Sequence, residues 1–239
     1  FNYWVDPFGV FSHKSLEWPS YEMTINPRTA KITYLKDHHQ DYDSYILGCS
    51  STSSFPVESL NSYLDASFYN MIMYEQAFYL VENYEVKNLV VNVYLDNAKD
   101  YNTEPDPLSY AMPPETTGEN AGAFLSKYLF MDPRHSLDKL KAPRKDTYLT
   151  QTFDVFDPVT GAYDKKVRDA EPIGNMDRYL EAYPVFANYP EATNTTNEEA
   201  ITGTLESLTR IRDLCQENGI NLIVLCAPVY ADYMDYFSW

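Results

Sequence analysis

Four short aliphatic runs alternate with stretches whose apolar residues recur every three or four positions. That is the pattern of buried strands joined by amphipathic helices. The first run is Tyr45-Ile46-Leu47, ended by Gly48, and a polar run from Cys49 to Ser54 follows it. From Pro56, a helix is predicted with Val57, Leu60 and Leu64 on one side. Proline suits a first helical turn because its missing N–H has no partner there anyway. Phe68-Tyr69-Asn70-Met71 reads as a second strand, and a helix follows over about 73–84 with Ala77, Leu80, Val81 and Tyr84 as its stripe. Leu89 to Tyr94 is the third strand, stopping at Leu95-Asp96-Asn97.

Regular periodicity returns near the end. Thr196 or Asn197 caps a helix whose first turn carries Glu198 and Glu199, where outward-pointing amides favour acids. Ile201, Leu205, Leu208, Ile211 and Cys215 mark its apolar side, and Gly219 supplies the stop. Ile220 to Cys226 is continuously apolar apart from Asn221, which predicts a fully buried strand with Cys226 as a small buried hydrophobe. Strands that are apolar throughout need cover on both faces, so the sheet is expected to be mainly parallel and the fold α/β.

Two regions break the pattern. Residues 1–42 read as an irregular extension, with a turn at Asp6-Pro7-Phe8-Gly9 and loop signals at Pro27 and from Lys36 to Asp41. Residues 98–195 are dense in Pro, Asp, Thr and Tyr and read as a large insertion in an α/β domain spanning 43–239. Within it, a helix is expected over Ala121–Met131 and a turn over Phe156–Gly161. With the insertion set aside, the remainder is short for a closed α/β sheet, so the chain is expected to be a C-terminally incomplete piece of a larger protein.

Composition narrows the function. Eighteen Lys and Arg face 35 Asp and Glu, a formal charge of −17, which repels phosphate backbones and argues against nucleic-acid partners. The 22 Tyr and 12 Phe suit wet apolar surfaces such as carbohydrate clefts. No window is long and apolar enough to cross a membrane. Three widely spaced cysteines make no disulfide framework, and the four histidines form no zinc spacing with them. His38-His39 with Asp41 and Asp43 reads as a solvated polar turn, so no metal is expected. Both glycine-rich phosphate cradles are absent, so no nucleotide cofactor is expected either.

In parallel sheets the working site lies beyond the carboxyl ends of the strands. That places attention on Gly48-Cys49-Ser50, directly after the first strand. A glycine permits a tight turn, an alcohol there can attack an acyl carbon, and neighbouring N–H groups can hold the oxyanion. The Cys49 thiol is a second candidate nucleophile on the same turn.

Tyr45 to Ser51, followed by Pro56, Leu60, Tyr69-Asn70 and the strand ending at Asp96-Asn97, resembles the SGNH (GDSL-like) hydrolase superfamily. More narrowly, it is similar to the cell-surface branch related to the D-alanine-transfer protein of teichoic acid modification and to polysaccharide O-acetyl-modifying proteins. The resemblance covers about 43–97 and 197–230. It implies a flavodoxin-like three-layer sandwich and a serine esterase or acyltransferase acting on an acylated cell-surface carbohydrate or polymer. Ser50 takes the nucleophile's place, with Cys49 standing where the family has aspartate. Asn70 stands in for the family's glycine amide as oxyanion donor, and Asp96 or Asn97 occupies the third block, which here lacks its glycine. The family's Asp-x-x-His block is missing after the last strand, although Asp132-Pro133-Arg134-His135 has the spacing. Tyr3 to Gly9 resembles the stretch after an N-terminal membrane anchor, which implies a removed anchor and a cell-surface location. The alternative reading is a non-catalytic carbohydrate-binding or scaffold module on the same fold.

Overall fold

The computed structural model describes residues 1–12, 25–93, 107–141, 156–163, 175–182 and 198–227. The four aliphatic runs become β1 (Ser44–Gly48), β2 (Phe68–Met73), β3 (Asn88–Val93) and β4 (Asn221–Cys226). All pair in parallel, in the order β2-β1-β3-β4. The expected α/β class with a parallel sheet is therefore the observed one.

Alternate residues along the strands enter two apolar layers. Tyr45, Leu47, Tyr69, Met71, Leu89 and Val91 face one side, where they pack with α2 (Pro27–His38), α4 (Gln76–Asn83) and α10 (Glu198–Asn218). Ile46, Phe68 and Val90 face the other, under α3 (Val57–Leu64). Each of these fully buried side chains contributes on the order of 1.5–3 kcal/mol by leaving water.

Polar side chains pin the register at the amino ends of the strands. Ser44, Asn88 and Asn221 stand side by side on β1, β3 and β4. Asn221 donates to Asn88 Oδ1 at 2.9 Å, and Asn88 donates to Ser44 Oγ at 2.9 Å. A slip of one residue would turn these amides into an aliphatic layer.

The structure corrects two expectations. The supposedly irregular extension contains the twelve-residue α2. Pro27 is its first residue rather than a breaker, and Asn26 caps it by accepting from Arg28 and Thr29 N–H. Its apolar stripe was hard to read because a lysine, Lys31, is buried among Ile32, Tyr34 and Leu35. Conversely, β4 is not fully buried: each of its residues is partly buried or exposed, Val224 is 53 % exposed, and Cys226 is exposed. Among the described residues β4 has a neighbour only on its β3 side, and an apolar run does not reveal an edge position.

The insertion supplies α5 (Pro107–Tyr110), α6 (Pro114–Thr117), α7 (Ala121–Leu129), α8 (Arg134–Lys141) and α9 (Met176–Ala182). With α1 (Asn2–Val5), α7 and α8 enclose a small second core of Phe8, Val10, Phe124, Tyr128 and Met131. Asn2 donates to the carbonyls of Leu129 and Met131 and accepts from Ser136 Oγ. Asn26 joins the two cores by donating to Leu108 O, Ala111 O and Tyr128 Oη.

A loop at 156–163 closes the outer edge of β2. Thr160 O accepts from Asn70 N–H at 2.9 Å, and the Asp157 carboxylate folds the loop by accepting from Val159 N–H and Thr160 Oγ1. Gly161 has φ +69°, and a Cβ there would stand 2.4 Å from Asn70 O, so only glycine fits this approach.

Lys139 donates to Asp6 O at 3.0 Å inside the small core. Burial holds its ammonium down at about 8, against the opposing pull of the Asp6 charge. The unfolded chain, with an ordinary lysine near 10.4, binds more protons between those values, so this residue makes stability rise with pH across that window. Denaturant unfolding of the wild type against Lys139→Met, from pH 7.5 to 10.5, should show the wild type gaining up to about 3 kcal/mol on the variant.

Candidate functional site

β1 runs in the middle of the sheet, with the chain leaving it toward β2 while β3 lies on its other side. The crevice beyond its carboxyl end is where α/β folds place their chemistry. Immediately after Gly48 the chain makes a tight 3-10 turn over Ser50–Ser54. Gly48 permits it: a Cβ there would meet Thr52 Oγ1 at 2.0 Å and Asn92 O at 3.0 Å. The turn is folded onto the ends of both central strands.

Thr52 is the hub. It is fully buried, its N–H donates to Cys49 O at 2.9 Å, and its Oγ1 accepts from Cys49 N–H at 3.1 Å. Asn92, near the end of β3, donates to Thr52 Oγ1 and to Ser51 Oγ, both at 3.0 Å. Its Oδ1 accepts from Ala227 N–H at 2.8 Å, just past β4, and its main-chain carbonyl accepts from the Tyr74 hydroxyl after β2. One buried asparagine, through its side chain and its main-chain carbonyl, thus ties together the serine turn, the exit of β4 and the β2–α4 connection. Ser51 Oγ also lies 2.9 Å from Cys49 Sγ.

The sequence-predicted residues fall as follows. Ser50 is the first residue of the turn, one position past Cys49, and the described structure fixes it by its backbone. Asn70 lies in β2 with its side chain fully buried, and its Nδ2 donates to Thr52 O at 2.8 Å. Its Oδ1 has no partner among the described residues. Asp96 and Asn97 lie outside the described residues. The turn thus brings Ser50 and Asn70 into one hydrogen-bonded neighbourhood through Thr52.

Sequence reasoning passed over Asn92 and Thr52. The signal was there for Asn92: a lone amide inside Leu89-Val90-Val91-Asn92-Val93 must find partners when buried. Thr52 could not be singled out, because nothing in a run of serines marks which hydroxyl turns inward.

The described histidines sit elsewhere. His38 stacks on Tyr34 and His39 on Tyr84, at the amino end of β1, opposite the serine turn. The ring of His135 lies 5.4 Å from that of Phe8 in the small core. Asp132, three residues before it, uses its carboxylate at the start of α8, accepting from Arg134 N–H at 2.9 Å. The Asp132-x-x-His135 spacing therefore serves a helix start in this fold. Among the described residues no group of three or more His, Cys, Asp or Glu converges to hold a metal.

Compared with known proteins, the chain matches no family model, no curated protein and no solved structure at a significant level.

Asn92→Ala leaves the buried Thr52 Oγ1 and the part-buried Ser51 Oγ and Ala227 N–H each short of a partner. Urea unfolding should show a loss of about 2–4 kcal/mol, with Asn92→Asp recovering part of it. A loss below roughly 0.5 kcal/mol would contradict the closure described for this turn.

Proposed function

We propose that the chain is a serine esterase or acyltransferase of the SGNH-like kind, working on an acylated cell-surface carbohydrate or polymer through a Ser50 acyl-enzyme. The observation that carries this reading is the turn itself. A nucleophile-bearing segment follows a central parallel strand without a spacer, and buried partners on β2 and β3 fix its backbone. The strand order β2-β1-β3-β4 supports a flavodoxin-like assignment, with helices on both faces as the outer layers.

In the proposed reaction Ser50 Oγ bonds to the ester carbonyl carbon as a general base takes its proton. Turn amides are the proposed donors to the oxyanion. The bond from that carbon to the sugar oxygen then breaks, and the departing oxygen takes the proton. Water gives hydrolysis of the acyl-enzyme, and a second hydroxyl gives transfer. The formal −17 charge disfavours a polyanion spread over the surface, so the acyl group is expected to enter a local cleft as a neutral ester. A cell-surface location belongs to the same proposal.

A second reading keeps the fold and drops the chemistry: a carbohydrate-binding or scaffold module. The positions of His38, His39 and His135 favour it, since each lies against an aromatic ring away from the turn.

Fluorophosphonate labelling and p-nitrophenyl acetate turnover separate the two. The catalytic reading expects labelling at Ser50, and Ser50→Ala should lose it together with roughly 10³-fold or more of the turnover. Equal turnover and labelling in Ser50→Ala would sink that reading. Undiminished glycan-array binding by the same variant, without turnover in the wild type, supports the binding module.

A further inference from the structure

Lys31 is a buried cation for which the turn chemistry has no direct use. It lies in the middle of α2 and is fully buried. Its Nζ donates to Asn70 O at 2.8 Å and to Gly161 O at 2.6 Å. The rings of Phe156 and Tyr163 take its remaining side, with centroids 4.9 and 5.7 Å away. Burial pushes the ammonium well below its ordinary pKa, and no described carboxylate offsets that effect. Holding an unpaired charge in such a place is costly unless its protons are well used.

Both carbonyls it grips lead to the serine turn. Asn70, held at its main-chain oxygen, donates its side-chain amide to Thr52 O at 2.8 Å. Gly161, held at its oxygen, is two residues before Tyr163, whose N–H donates to Ser53 O at 2.7 Å. Two separate lines of bonds thus start at one ammonium and end on consecutive carbonyls of the turn that Ser50 opens. We propose that Lys31 is a positioning residue for this turn. It clamps the β2 edge to the 156–163 loop, and through Asn70 and Tyr163 it fixes the Thr52 and Ser53 peptides of the turn whose first residue is Ser50.

The role suits lysine in particular. Three protons on a long apolar stem reach two carbonyls and an aromatic face from inside a helix. Methionine has the length and apolar stem but no donor. The proposal rests on the acyl-transfer reading of Ser50, and its test separates the two.

The test compares the full chain with Lys31→Met, well below the unfolding midpoint of each, by two measurements. Hydrogen exchange at the Tyr163 and Asn70 amides reads the clamp. The expected result is at least a tenfold rise there, with Leu89, Val90 and Val91 unchanged. Fluorophosphonate labelling of Ser50 reads the consequence. The expected result is a tenfold or greater fall in the maximal inactivation rate with the reagent's half-saturating concentration unchanged, a split that loss of stability alone does not produce.

Unchanged exchange at Tyr163 in folded Lys31→Met overturns the clamp. Raised exchange with an unchanged inactivation rate overturns the positioning role. A wild type that is not labelled at Ser50 overturns the acyl-transfer reading beneath it, whatever the exchange data give. If Lys31→Met does not fold, Phe156→Leu removes one ring from the ammonium and should raise Tyr163 exchange by a smaller factor, about threefold to tenfold. No rise in that variant overturns the clamp as well.

Discussion

Cover on both faces shuts water away from the central strands β1 and β3, and this constraint organises the rest of the molecule. The asparagine amides that enter the sheet donate to partners inside the protein. The two asparagines of β3 show the solution at either end. Asn88 completes a side-chain ladder with Ser44 and Asn221, and Asn92 completes the closure of the serine turn and the β4 exit. Between them Leu89, Val90 and Val91 pack against helices on opposite sides. The amides are there because the strand ends are where loops must be held.

The same constraint acts at the sheet edges. β2 would otherwise offer the Asn70 N–H and carbonyl to solvent or to another strand, a template that folded proteins commonly cover. Here the 156–163 loop takes the N–H and Lys31 takes the carbonyl. The insertion is therefore more than an appendage. One part of it completes the sheet, and its α7 and α8 complete the small core around Phe8, so the first residues of the chain and the middle of the chain depend on each other.

Much of the sheet was legible in the sequence. β1, β2 and β3 announce themselves as apolar runs with polar punctuation, and α3, α4 and α10 by their three-to-four spacing. The failures have physical causes. α2 was missed because its buried face includes Lys31 and Thr29, whose partners lie up to 130 positions away in Asn70, Gly161 and Ala111. β4 read as interior because composition reports apolarity and not which strands flank it. At the site, Gly48 and Ser50 could be picked out by local turn chemistry. Asn92 and Thr52 take their meaning from a contact between β3 and the β1 turn, which no local pattern encodes.

The placement of Asn88 and Asn92 has one further consequence. Four residue steps of extended chain, roughly 13 Å, separate the two amides and keep both on the side that α3 covers. β3 is thus a ruler cut to length. Adding or removing a single residue between its ends would seat one amide and turn the other through the sheet. An inserted or deleted residue is accordingly accommodated in the connections and not within β3, and the distance from the ladder to the serine turn is a fixed dimension of the fold.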